Sequence, residues 1–393
     1  MDATSGPLVG FKSEPWYPRA AVTSVTESDD APAGFSGHIL HVRWASIPLL
    51  IPTKSLMDAE WWNNQSSSWG YWLEGEPTSV ESTENGWVVD FPAHQAFVLP
   101  MDEDGHGRRL SELNCDYLHT AIGGIQYGGR DVILVFEKRE MIAMNLDSKN
   151  LKLIGETLGQ FHTVCGQNLA LPNDERLWNK RLDILEPRTR SATKWRAPHS
   201  PDTQGTITHR NFDLSNCLLE GDRIIITGCV GGVRNALLPH SSPSPAIRDL
   251  AAAVLQLSPE ERQIFCDAWS DKAPPHWSSS KALDGHRGGI QIWEYEKQLE
   301  NRLFHQAWGQ DEPIEVTRFF AGISTLQNRM YQARTLAAAG LICFSIPPCA
   351  ALYWIFYPDA IAPTISDIGA MTALFGIGWI LRRLYRAAAP KPW

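Results

Sequence analysis

Residues 207–219 read "ITHRNFDLSNCLL", a polar run that passes directly into an apolar one. His209, Arg210, Asn211, Asp213 and Asn216 crowd its middle, with neither a helical nor an alternating apolar period, so the spacing predicts a loop. The loop leads into "CLL" and "RIIIT", two short apolar stretches around the turn "EGD", which predict a two-stranded hairpin. Cys229-Val230-Gly231 follows, thirteen residues after Asn216.

Working outward, residues 150–165, "NLKLIGETLGQFHTVC", place apolar side chains at 151, 153, 154, 158, 161 and 165, the spacing of one helix face. Residues 167–206 are polar and irregular, and "EPRTRSATKWRAPHSPDTQG" reads as an exposed insertion. Residues 246–269 and 284–310 read as helices, with Ser258 and Glu261 forming a capping box at the start of "SPEERQIF". On the other side, "HILHVRWASIPLLIP", "GWVVDF", "AFVLP" and "DVILVFEKREMIAM" read as short strands. "YGGR" at 127–130 suits a hairpin turn, because glycine takes positive φ without steric cost. Trp44, Trp61, Trp62, Trp69, Trp72 and Trp87 crowd this region. They favour aromatic packing of a small β-rich unit over a ligand surface. Residues 1–35, rich in Ser, Thr, Asp, Pro and Gly, read as a mobile tail. The expected organisation is this tail, a β-rich lobe over 36–140 and a helical lobe over 141–328.

The chain of 393 residues carries a formal charge of −9. Beyond residue 328, Arg329, Arg334, Arg382, Arg383, Arg386 and Lys391 face only Asp359 and Asp367, an excess of +4, which leaves −13 on residues 1–328. That balance disfavours nucleic acid as a partner, since such binding needs a basic surface to displace counterions. It also disfavours docking on anionic lipid by charge alone. The seven cysteines form no CxxC pair and no zinc-type spacing, which suits a reducing compartment without a disulfide framework. The N-terminal "MDATSGPLVGFKSEPWYP" lacks the charged and apolar regions of a signal peptide.

The C-terminus meets a different solvent. Thr335 to Tyr357 is a run of 23 residues without a charge, long enough as a helix to cross a bilayer core of about 30 Å. Pro347-Pro348 is expected to kink it. A second apolar stretch, "IGAMTALFGIGWIL" at 368–381, ends in "RRLYR". Together they predict a transmembrane helical hairpin over 335–385, with Gly369 and Ala373 as a small pair seating the helices. Basic residues flank both outer ends, so the body and both termini are expected on the cytoplasmic side. The alternative is a helical hairpin buried in a soluble domain.

With these pieces assembled, the order of the chain resembles the C-terminal lobe of the lipopolysaccharide core kinases, the Kdo/WaaP family within the protein-kinase-like superfamily. The resemblance covers about residues 130–270. In that superfamily the loop reads H-R-D-x-x-x-x-N, the Asp taking the proton of the attacking hydroxyl and the Asn holding a metal ion. His209, Arg210 and Asn216 match it, and Asn211 stands at the base position. Cys229-Val230-Gly231 falls where Asp-Phe-Gly binds magnesium, and "IRDLA" places Asp249 where a helix supports the loop from below. "VFEKREM" at 135–141 resembles the strand entering the interlobe hinge, and "IGETLGQFHTVC" the helix before the loop. The implied fold is α+β: two lobes, a degenerate β-rich N-lobe and a helical C-lobe, followed by two transmembrane helices.

The departures bear on chemistry. Asn211 can hold a hydroxyl but cannot take its proton. Cys229 is a poor partner for Mg²⁺, which prefers hard oxygen ligands. "HQAFVLPMDED" resembles the strand that should carry the phosphate-binding lysine, yet Pro100 or Met101 falls near its place. The sequence thus suggests a membrane-anchored pseudokinase with a protein partner at a bacterial inner membrane and no cofactor. The alternative is an atypical kinase for a lipid-linked sugar or protein, using ATP and Mg²⁺, with Asp213 as a relocated base. A third reading takes the Trp-rich region as a ligand-binding module. His209 and Asn216 each suit either a site role or a structural one.

Overall fold

The structure is a computed structural model that describes residues 9–102, 104–168, 171, 174–189, 203–238, 243–279, 282–283, 289–357 and 363–388. It opens with an antiparallel meander of β1 (Val22–Ser28), β2 (Phe35–Val42) and β3 (Ala45–Pro52). The expected mobile tail at 1–35 is corrected here from residue 9 onward. Trp16, Tyr17 and Ala21 are buried, and Trp16 stacks edge-on against Trp87 at 5.1 Å between centroids. Four aromatics in "FKSEPWYP" and its neighbour strand outweigh the polar composition that suggested disorder.

The chain continues through α1 (Ala59–Asn63), β4 (Trp69–Gly70), β5 (Ser79–Thr83), β6 (Gly86–Asp90), β7 (His94–Val98), α2 (His106–Ser111), β8 (Gly123–Tyr127) and β9 (Arg130–Glu137). These strands form one antiparallel sheet in the order β4-β8-β9-β7-β6-β5. The β8–β9 turn holds Gly128 and Gly129, both at positive φ, as "YGGR" predicts. Trp61 and Trp62 are buried and meet edge-on at 4.9 Å, so they pack the lobe's core rather than face a ligand.

The helical part comprises α3 (Ser148–Asn168), α4 (Glu175–Arg188), α5 (Gly232–Leu237), α6 (Ile247–Val254), α7 (Pro259–Lys272), α8 (Pro275–Ser278) and α9 (Gly289–Trp308). A small sheet of β10 (Ile142–Ala143), β11 (Cys217–Glu220) and β12 (Arg223–Ile226) sits among them. On α3, Leu151, Ile154, Leu158, Phe161 and Cys165 of the expected face are fully buried, whereas Leu153 is corrected: it turns to solvent, off the packed stripe. The capping box of Ser258 and Glu261 starts α7. Helix α4 corrects the reading of 167–206 as irregular. Trp178, Leu182 and Leu185 recur at helical spacing and are buried, although charged neighbours mask the period. Most of the expected exposed insertion, residues 190–202, lies outside the described residues.

The C-terminus is a helix pair. Helix α10 runs 43 residues from Ile314 to Phe356, and α11 spans Ile365–Ala388. The expected start at 335 is corrected: one helix carries the chain from the body through the apolar span, and Pro347 and Pro348 lie inside it without ending it. Both helices are long and apolar enough to cross a membrane, with mean hydropathy of 1.8 and 1.2 over their most apolar windows. Only 6% of each window is buried within the chain, which argues against a hairpin packed into a soluble core. Their contact is at Gly340 and Gly378, not at Gly369 and Ala373. A Cβ at Gly378 would stand 3.2 Å from Cys343 Cβ, whereas one at Gly369 would meet nothing within 4 Å. The small side of α11 that faces α10 is thus set by position 378.

Candidate functional site

The loop before β11 hangs from one carboxylate. Asp249 on α6 is 1% exposed and accepts the backbone N–H groups of His209 at 2.6 Å and Arg210 at 3.1 Å. Trp269 Nε1, which can only donate, bonds His162 Nδ1 at 2.9 Å. With Nδ1 accepting, Nε2 is the ring nitrogen that donates, and it faces Asp249 Oδ2 at 3.3 Å. Burial raises the Asp249 carboxyl, but the hydrogen bonds from His162 and the His209 backbone outweigh it and hold it below the usual carboxylate range.

Arg210 has a positive φ of 67°, an uncommon conformation for a residue with a Cβ. Its geometry is held at both ends. The backbone N–H goes to Asp249, and the guanidinium forks onto Asp104 at 3.0 and 2.8 Å. Asp104 lies just before α2, so this ion pair ties the N-lobe to the loop. Behind it, Arg248 and Arg181 share the buried carboxylates Glu296 and Glu300 on α9. Glu296 and Glu300 sit one helical turn apart, a pattern visible in sequence as two acids within an otherwise apolar helix face.

The residues singled out in sequence converge. His209 is buried, and its Nε2 donates to Thr227 O at 2.8 Å. Burial lowers its pKa, so the ring is neutral. Asn211 Nδ2 donates to Val230 O at 3.2 Å, and its carbonyl accepts Asn216 Nδ2 at 3.4 Å. Asn216 O accepts both Thr227 N and Thr227 Oγ1, at 2.8 and 2.9 Å. Gly228 has φ 78°, and a Cβ there would stand 2.7 Å from Asn216 Nδ2, so only glycine fits this crossing. Asp213 accepts Ser215 N at 2.8 Å and Ser215 Oγ at 2.6 Å, and so caps the short turn Leu214–Asn216.

Cys229 is 1% exposed, and burial pushes its thiol far above the thiolate range. A neutral buried thiol does not fit a hard divalent cation. Among the described residues no three His, Cys, Asp or Glu side chains are grouped to hold a metal ion. Strand β7 carries no lysine, and Pro100 and Met101 are buried beyond it. The β5–β6 turn packs directly on the segment after Cys229. A Cβ at Gly232 would stand 2.8 Å from Asn85 Cβ, and Arg234 pairs with Glu84.

Two features had no signal in the sequence. One is the Asp102–Asp131 pair, both buried, with Asp102 Oδ2 accepting the Asp131 backbone N–H at 2.9 Å. Burial first, then the neighbouring Asp102 charge, lift Asp131 to about 6. The other is a cleft of about 510 Å³ lined by Asn211, Asp213, Asn216, Arg234, Lys297 and Gln298, whose far wall includes Pro313, Glu315 and Val316 where α10 begins.

No protein-family model matches the chain, and no curated protein does. Solved structures do. A glucosamine kinase (crystal form B) matches at 12% identity and a TM-score of 0.50, covering 83% of this chain and 98% of that one. An ethanolamine kinase of Plasmodium vivax matches at 12% identity and a TM-score of 0.35, covering 61% and 77%. A spectinomycin phosphotransferase matches at 12% identity and a TM-score of 0.29, covering 80% and 96%. The chain has the two-lobed, mixed α+β fold of the protein-kinase-like phosphotransferases.

Proposed function

We propose that this protein is a membrane-anchored pseudokinase, a degenerate relative of the lipopolysaccharide core kinases (Kdo/WaaP). In this reading the body and both termini lie on the cytoplasmic face of a bacterial inner membrane, and the body engages a protein partner as a scaffold or regulator of envelope machinery. The observation that supports it is the buried, neutral thiol of Cys229, the residue that the sequence resemblance aligns with the magnesium ligand, together with an Asn211 whose amide is turned onto Val230 O. Phosphoryl transfer relies on positioning and metal-borne charge stabilisation. A site without the metal carboxylate, the base and the lysine lacks all three supports. The exposed apolar surfaces of α10 and α11 support the membrane anchor.

Thermal melting of the full chain in detergent micelles, with ATP and with ATP plus Mg²⁺, tests the reading. No metal-dependent rise in melting temperature is expected, and a saturable Mg²⁺-dependent rise contradicts it. Recovery of the full chain in the supernatant of a detergent-free lysate would contradict the anchor. A second reading, an active kinase for a lipid-linked sugar, draws on the roomy cleft beside Asn211 and on Asp213 in its wall. It requires the metal-dependent stabilisation that the first excludes.

A further inference from the structure

We propose that a second cavity, which shares no described lining residue with the cleft beside Asn211, binds a phosphate monoester. The cavity measures about 640 Å³. Arg43 and Trp44, in the turn between β2 and β3, form one wall. Arg188 at the end of α4 and Gln306 in the last turn of α9 form the other, and the backbone at Ala20 and Ala21 closes the edge. Among the described residues no acidic side chain lines it.

The two guanidinium groups are short of partners. Arg188 Nη1 is buried without a hydrogen bond, and the group stacks 5.6 Å from the centroid of Trp44. Burial, with the nearby Arg181 charge, lowers the Arg188 pKa, the mark of a cation without a compensating anion. Arg43 makes one long contact, 3.5 Å, to Ala20 O. Among the described residues neither arginine has a carboxylate within ion-pair distance. Arg188 is half-buried with one guanidinium nitrogen enclosed and unpaired, and Arg43 is exposed at the rim, so two cations without a described carboxylate face one open space that suits an anion.

The charge count selects the anion. A phosphate monoester carries about −1.5 to −2 at neutral pH and offers three acceptor oxygens to two forked donors. A carboxylate would neutralise only one arginine. The body's net charge of −13 argues against an extended polyanion, and the volume, typical of small-molecule sites, leaves room for an organic body beyond the phosphate. Trp44 is fixed for the task, since its Nε1 donates to Leu237 O at 3.1 Å at the end of α5. The phosphate can come from a free metabolite or from a phosphatidate headgroup.

The test is calorimetric titration of the full chain with glycerol 3-phosphate in micelles, and comparison of nanodiscs with and without phosphatidate. Saturable binding is expected in at least one arm. Glycerol 3-phosphate binding identifies a free ligand, and a response confined to phosphatidate nanodiscs identifies a headgroup. Arg188→Gln and the more exposed Arg43→Gln should each weaken binding by about tenfold or more, the loss of one charge-assisted contact. Arg43→Gln should leave the melting temperature unchanged, which separates lost binding from lost folding. Asp213→Ala, in the other cleft, should bind like wild type. Absence of saturable binding in both arms, or binding that survives both arginine substitutions, overturns the proposal.

Discussion

The loop of residues 206–216 has two faces, and they differ in kind. Its underside is a closed set of buried hydrogen bonds centred on one carboxylate: Trp269 to His162, His162 to Asp249, and the backbone of His209 and Arg210 to Asp249. Its upper side, towards the cleft, is made of side chains that bond locally: Asn211 with Val230 and Asn216, and Asp213 with Ser215, while the Cys229 thiol is buried and outside the described cleft lining. The backbone of this loop is therefore held independently of the side chains on its upper side. What holds the backbone is beneath it, and what would act on a substrate is above it.

The largest expected effect lies underneath. Asp249→Ala strips the acceptor from two buried N–H groups and from His162, and should cost about 3–5 kcal/mol in denaturant unfolding of the full chain in micelles. The pH dependence has a definite sign. The folded carboxyl lies below its unfolded value, so its stabilisation is complete at neutral pH and is lost as pH falls through the acid range. A loss under about 1 kcal/mol would mean that the underside is not the support described.

Next comes the buried acid pair behind the loop. Asp131 is lifted to about 6, above its unfolded value, so its contribution is complete in acid and is lost as pH rises through that value. Asp131→Asn removes the titrating charge but keeps only one of the two acceptor oxygens that serve Gln126 and the Arg108 backbone. Its effect on stability should be more favourable at pH 7 than near pH 4 by about 2–3 kcal/mol. Equal effects at both pH values would refute the assignment.

The smallest effects belong to the upper face. Asn211→Ala and Asp213→Ala should each cost about 1 kcal/mol, the worth of one ordinary hydrogen bond or cap. If either costs as much as Asp249→Ala, the two faces are not distinct.

Much of this arrangement was readable in the sequence because it is local. The loop, the β11–β12 hairpin, the buried stripe of α3 and the capping box of α7 each follow from residues within one element. Other features depend on partners far along the chain. Arg210 meets Asp104 across 106 positions, and Trp178 meets the core from a helix whose charges hide its period. Over residues 9–35 a mobile tail does not follow from composition, which averages over Trp16 and Tyr17, two residues whose burial decides the outcome. The helix contact was misplaced for a similar reason. Gly369-xxx-Ala373 has the right spacing, but only the geometry of the α10–α11 pair selects Gly340 and Gly378.

The central claim is that the upper face is disarmed, and transfer of labelled phosphate from ATP tests it most directly. With Mg²⁺ present and sugars or proteins offered as acceptors, the purified full chain should show no transfer above background. The paired Asn211→Asp and Cys229→Asp variant should remain silent too, because no lysine stands on β7 to hold the phosphates. Transfer by the wild type that Asp213→Ala abolishes would contradict the account and make Asp213 a working base.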